Sequence, residues 1–223
     1  MTDATTKMDI ALDGGRETTA RVYPAADGRK TLFVFAHGAG AGQSHPFMTG
    51  AAKALTERGI DVVTFDFPYM HAKKGAPDRA PILESCFHAV IDAARARPEF
   101  ASHRLLIGGK SMGGRMATHL GAQKTAGLQG IVVFGYPLHP PGAPQKLRVS
   151  HLADISVPLL IVQGERDAFG SPAELEPHLR TMKAPYTLHE VTGADHSLTI
   201  RSKKGPDVFA SMMGTAADWM LAL

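Results

Sequence analysis

Residues 105–120 read Leu105-Leu106-Ile107-Gly108-Gly109-Lys110-Ser111-Met112-Gly113-Gly114-Arg115-Met116-Ala117-Thr118-His119-Leu120. An apolar strand runs into glycines, one serine stands at the turn, and a helix-like stretch follows. This is G-x-S-x-G between a strand and a helix, an arrangement that holds a nucleophilic serine up at a sheet edge. So tight a turn strains the serine backbone, and the flanking positions Gly109 and Gly113 must lack side chains that would collide. The helix beginning there presents amides that favour developing negative charge. Gly108-Gly109-Lys110-Ser111 also resembles the end of a phosphate-binding G-x-x-x-x-G-K-S loop. That motif needs glycine where Arg104 stands, so the nucleotide reading fails.

Outward from this segment, short β-rich runs alternate with helix-period stretches. Strands are expected over 31–36, 60–65, 104–108, 131–134, 158–163 and 186–191. Most are continuously apolar, the mark of strands covered on both faces. The segment 81–97 places Leu83, Cys86, Phe87, Val90, Ile91 and Ala94 on one helical stripe, and 207–222 does so with Phe209, Met212, Met213, Ala216, Trp219 and Met220. Pro46 begins a further helix, and Ser171-Pro172-Ala173-Glu174 reads as a capping box. Met8–Leu12 and Thr19–Tyr23 flank Asp13-Gly14-Gly15 as a hairpin. Strand–helix units of about 30 residues imply an α/β fold. Its sheet is parallel with helices on both faces, and the hairpin adds antiparallel strands at one edge. The chain reads as one domain, 1–223, with its longest insertions at 69–80 and 137–149, too short for a separate lid domain.

Ligands bind such sheets at the carboxyl ends of the strands. A serine there needs a base, and the base needs an orienting acid, in the chain order Ser, acid, His. Asp167 follows the strand 158–163 and His196 follows the strand 186–191, so Ser111, Asp167 and His196 form the candidate set. Glu165 is an alternative acid. Asp195 reads as a loop brace and His189 as a strand residue. The loop His37-Gly38-Ala39-Gly40-Ala41-Gly42 lets backbone amides approach a ligand closely. With the Met112 amide it supplies an oxyanion hole, Ala39 being the first loop donor and Gly40 the second. His37 braces that loop by hydrogen bonding. The expected pocket-lining residues are His37, Tyr69, Lys110 and His139, with His71, Lys73 and Lys74 in a connection bordering the pocket. Lys110 and Arg115 either draw an anionic substrate or pair with acidic side chains, and both readings stand. Asp66 positions the loop or the elbow through hydrogen bonds.

Composition narrows the function classes. Of 223 residues, 24 are Lys or Arg and 21 Asp or Glu, a net charge of +3 too dispersed for a nucleic-acid protein. Arg201, Lys203 and Lys204 read as a solvated loop. One cysteine, Cys86, excludes an internal disulfide framework, and the histidines show no H-E-x-x-H pairing, so no metal site is expected. No apolar run approaches the ~20 residues of a membrane span, and residues 1–6 show no secretory pattern. A cytoplasmic protein is expected.

Together these residues resemble the α/β-hydrolases over nearly the whole chain, and within them the small, lid-free branch of dienelactone hydrolase-like proteins. The sequence is also similar to predicted bacterial hydrolases related to the testis-expressed and chromatin-complex α/β-hydrolase-like proteins of animals. Carrying the resemblance are His37-Gly38-Ala39-Gly40, Phe65-Asp66-Phe67-Pro68-Tyr69 with Pro77-Asp78-Arg79, and Gly109 to Arg115. Gly135-Tyr136-Pro137-Leu138-His139-Pro140-Pro141, Gly164-Glu165-Arg166-Asp167 and Asp195-His196-Ser197-Leu198 complete it. It implies a mostly parallel sheet of about eight strands with the elbow at its centre. It also implies Ser111 as nucleophile, His196 as general base then acid, Asp167 orienting it, a small-molecule acyl substrate and no cofactor. Dienelactone hydrolases proper use cysteine, whereas the elbow here carries Ser111, and Cys86 lies on a core-facing helical stripe. Two other functions suit the same fold: a non-catalytic scaffold binding a partner or ligand, and an acyltransferase or perhydrolase using the same three residues.

Overall fold

The computed structural model describes residues 5–200 and 207–223, so Arg201, Lys203 and Lys204 lie outside the described residues. Asp13-Gly14-Gly15 turns the chain between β1 (Thr6–Leu12) and β2 (Arg16–Tyr23), which pair antiparallel with Thr6 opposite Val22. The six apolar runs form β3 (Thr31–Ala36), β4 (Asp61–Phe65), β5 (Arg104–Lys110), β6 (Leu128–Phe134), β7 (Leu159–Gly164) and β8 (Tyr186–Val191). The eight strands lie in the order β1-β2-β4-β3-β5-β6-β7-β8. Every pair from β4 to β8 is parallel, and the hairpin joins the edge through β2 antiparallel to β4.

Strand periodicity sorts the core into two layers. In β3, Leu32, Val34 and Ala36 face one layer while Phe33 and Phe35 face the other. In β6, Ile131 and Val133 are divided in the same way from Val132 and Phe134. Each face is covered by helices, which is why these runs lack polar alternation. Helices α1 (Pro46–Thr56) and α6 (Val208–Ala222) cover the face of Phe33 and Phe35. The short α2 (Pro68–His71) follows β4. Helices α3 (Ala80–Arg95), α4 (Met112–Ala122) and α5 (Pro172–Leu179) pack on the other face. Cys86 is buried there, its thiol pushed up to about 12 mainly by burial, so it is an inert core residue. The capping box forms as read: Glu174 N–H donates to Ser171 Oγ at 3.4 Å, and Ser171 N–H donates to the Glu174 carboxylate at 2.8 Å. No described helix is long and apolar enough to cross a membrane.

The consequence for function is positional. β5 lies between β3 and β6, so the loops leaving the carboxyl ends of β3, β5 and β6 converge, with those after β7 and β8 alongside.

Candidate active site

Ser111 stands between β5 and α4 with φ 51° and ψ −115°, a left-handed φ that non-glycine residues rarely adopt. Its amide donates to the Phe134 carbonyl at 3.0 Å, which pins the turn to β6. A Cβ at Gly109 would lie 2.3 Å from the Gly113 carbonyl carbon, and one at Gly113 would lie 2.5 Å from the Ala36 oxygen. Both obstacles are backbone and cannot swing away. Although Ser111 occupies the N-cap of α4, its side chain does not cap the helix.

That hydroxyl instead lies 2.8 Å from His196 Nε2. On the far side of the ring, Nδ1–H donates to Asp167 Oδ2 at 2.7 Å. Asp167 is buried, and its Oδ1 accepts from the Phe169 amide at 2.8 Å. The tertiary structure thus brings together the three residues expected after three different strands. Glu165, the alternative acid, accepts from the Gly193 amide at 2.6 Å, and Asp195 accepts from the Ser197 amide at 2.9 Å. Both brace the loop carrying His196.

Sequence reasoning passed over two residues here. Gln163 at the end of β7 is fully buried; its Nε2 donates to Asp167 Oδ2 at 3.0 Å, and its Oε1 accepts from the Tyr136 amide at 2.7 Å. Its signal was a lone amide closing the run Leu159-Leu160-Ile161-Val162. Phe169 stacks on His196, with ring centroids 4.1 Å apart at 29°. Nothing in the local sequence marks that contact.

The glycine loop after β3 is held from beneath. His37 Nε2 accepts from the Phe67 amide at 2.9 Å, and its Nδ1–H donates to the Gly38 carbonyl at 2.7 Å. A ring that accepts at Nε2 is neutral, and burial lowers its pKa accordingly. The Tyr69 hydroxyl donates to the Ala39 carbonyl at 2.8 Å, and burial raises the phenol to about 12. Asp66 accepts from the Gln43 amide at 2.8 Å, the loop-positioning contact expected of it. The amides of Ala39 and Gly40 donate to no backbone carbonyl among the described residues.

The connections after β3, β4, β5, β6, β7 and β8 surround a cavity of about 570 Å³ into which Ser111, Met112, Ala39, Gly40 and His196 open. Its walls mix Phe47, Met48, Leu83 and Phe169 with Lys110, Arg115 and Arg148. Lys110 lines it as expected. Its ammonium is committed, however, donating to the His196 carbonyl at 2.5 Å, and burial lowers its pKa to about 8. His37, Tyr69 and His139 do not line the cavity, which corrects the sequence expectation. The first two face inward to brace the glycine loop. His139 is turned to the Pro140 carbonyl at 2.9 Å, and its amide donates to the Phe169 carbonyl at 3.0 Å. The connection after Tyr69 contributes Pro77 and Asp78 rather than His71, Lys73 or Lys74. Among the described residues no three His, Cys, Asp or Glu side chains gather as metal ligands.

The family described as "Alpha/beta hydrolase domain" matches residues 29–222. Solved structures share the fold at low identity. A dienelactone hydrolase from Anabaena variabilis is 18% identical with TM-score 0.77, covering 98% of this chain and 97% of its own. A lid-free serine hydrolase from Xanthomonas campestris is 20% identical with TM-score 0.72, covering 100% of this chain and 94% of its own. Est1E from Butyrivibrio proteoclasticus, solved with ferulic acid bound, is 16% identical with TM-score 0.78, covering 96% and 98%.

Proposed function

The chain belongs to the α/β-hydrolase domain family, and on that premise we propose that it is a serine hydrolase of carboxylesterase type acting on small acyl substrates. The observation that carries this reading is the relay from Ser111 Oγ through His196 to Asp167, with spacings of 2.8 and 2.7 Å. His196 Nε2 takes the Ser111 proton as the hydroxyl oxygen attacks the acyl carbon. Asp167 holds the ring in the tautomer that leaves Nε2 free to accept, and it stabilises the imidazolium that forms. The amides of Met112 and Ala39, with Gly40 as a second loop donor, hold the oxyanion. His196 then gives its proton to the departing alcohol. Water, deprotonated by the same ring, releases the acid and restores Ser111. In this reading the chain acts as one domain and needs no cofactor. In this reading it is also related to the predicted bacterial hydrolases akin to the testis-expressed and chromatin-complex α/β-hydrolase-like proteins.

Labelling with a fluorophosphonate probe tests the proposal. Wild type should label stoichiometrically, and Ser111→Ala and His196→Ala should not. Folded wild type that stays unlabelled would overturn the reading in favour of a non-catalytic scaffold.

A further inference from the structure

Two guanidinium groups line the same cavity as Ser111, and among the described residues neither is ion-paired to a carboxylate. Arg115 lies one turn along α4, its amide donating to the Ser111 carbonyl at 3.0 Å. Helix positions four apart share a face, with Cβ atoms about 5–6 Å apart, and long side chains lean toward the helix N-terminus. The Arg115 side chain therefore leans toward the nucleophile. Arg148 comes from the loop after β6 and is tethered at several points. Its amide donates to the Leu138 carbonyl at 2.9 Å, its carbonyl accepts from the buried Tyr136 hydroxyl at 2.5 Å, and its Nη1 lies 3.3 Å from the Pro137 carbonyl.

Burial, and then the charge of Arg148, lower the pKa of Arg115, so the two like charges on the cavity wall lie within each other's field. The arginine–carboxylate pairs among the described residues are Arg97–Glu99 and Arg180–Glu176, both elsewhere. Glu84, whose charge acts on Arg115, is occupied by His119 at 2.7 Å and Gln123 at 2.8 Å. Asp78, the carboxylate that lines the cavity, exerts its field on Tyr69 and Cys86. Lys110 is committed to the His196 carbonyl.

Resting on the serine-hydrolase reading above, we propose that Arg115 and Arg148 form an anion subsite, and that the substrate carries a carboxylate or phosphate a short spacer from its acyl carbon. Guanidinium forks bind both oxyanions through paired N–H donors, and an arriving anion relieves the repulsion between the two arginines.

Binding and turnover test this separately. Calorimetry with wild-type protein should show glutarate binding and no binding of the neutral glutaramide. Inorganic phosphate in a parallel titration tells which oxyanion the site prefers. Arg115→Gln and Arg148→Gln should each weaken the anion by ~10-fold to ~100-fold, while Arg148→Lys retains part of it. In turnover, phenyl hydrogen glutarate should exceed phenyl pentanoate in kcat/KM by about 10-fold or more, and that ratio should collapse in the Gln variants. Absence of binding by both anions overturns the proposal. So do equal rates on the two esters in fluorophosphonate-labelled wild type, a result that leaves the hydrolase reading intact. Anion binding by a protein that never labels has the opposite meaning: the subsite stands and the hydrolase reading falls.

Discussion

At the scale of single residues, the site depends on groups that hold others in place. Asp167 has few degrees of freedom because the Phe169 amide, His196 and Gln163 all donate to its carboxylate. Removing the Gln163 amide withdraws one charge-assisted hydrogen bond and leaves the Tyr136 amide without its 2.7 Å acceptor. Gln163→Leu is therefore expected to lower kcat by roughly 10-fold with a smaller change in KM. Steady-state kinetics on any hydrolysed ester check the split; a change confined to KM would show that Gln163 does not position the acid. Ser111 and the glycines around it were legible from sequence because their constraint is local, written into the allowed backbone angles and the volume of a missing Cβ. Gln163 was not, because its bonds to Asp167, Gly170 and the Tyr136 backbone depend on how the loops after β6 and β7 fold around it.

At the scale of elements, the glycine loop after β3 is the part most in need of support. In the proposed reaction its amides must remain free for the oxyanion, so its order comes from contacts to its carbonyls and to Gln43. Tyr69 on α2 supplies one such contact through its 2.8 Å bond to the Ala39 carbonyl, and His37 supplies another. Tyr69→Phe keeps the buried ring and deletes only the hydroxyl. The expected result is a fall in kcat of roughly 5-fold, the worth of one neutral hydrogen bond, with fluorophosphonate labelling slowed rather than abolished. Stopped labelling time courses measure this; an unchanged rate would mean the loop holds its shape without Tyr69. The sequence read His37 as a brace of the loop, which it is, but it also placed His37 and Tyr69 on the cavity wall, which neither lines. An aromatic and an imidazole look alike in sequence whether they face a substrate or the underside of a loop.

At the scale of the whole molecule, neutral histidines, one buried and one half-buried, couple folding to pH. His37 titrates below its ordinary value of 6.5 because it is buried, and His151 is pushed down to about 3 by burial and by the charges of His119 and Arg115. As pH falls through 6.5, the unfolded chain takes up protons that these folded rings refuse. Stability is therefore complete above that pH and declines as pH falls below it, toward about 3 for His151. Urea unfolding at pH values between ~7.5 and ~5, above most carboxylate titrations, should show the midpoint falling. His151→Gln, which keeps a donor for Thr118, should flatten that slope, and an unaltered slope would remove His151 from the account.

The amino-acid sequence by itself determined the strand runs, their alternation with helices, the edge hairpin and the serine on its tight turn. Each of these follows from periodicity, β-propensity and the steric demands of a few adjacent residues. Chain order also put Asp167 and His196 on loops that the structure brings to Ser111. Only the tertiary structure decided which polar groups meet: Glu165 went to loop bracing, where Asp195 was already read, Lys110 to the His196 carbonyl, and Arg148 to the cavity that Arg115 also lines. Those outcomes depend on distances between segments far apart in the chain, set by how strands order themselves in the sheet and how helices pack across it. No local pattern of residues encodes such distances.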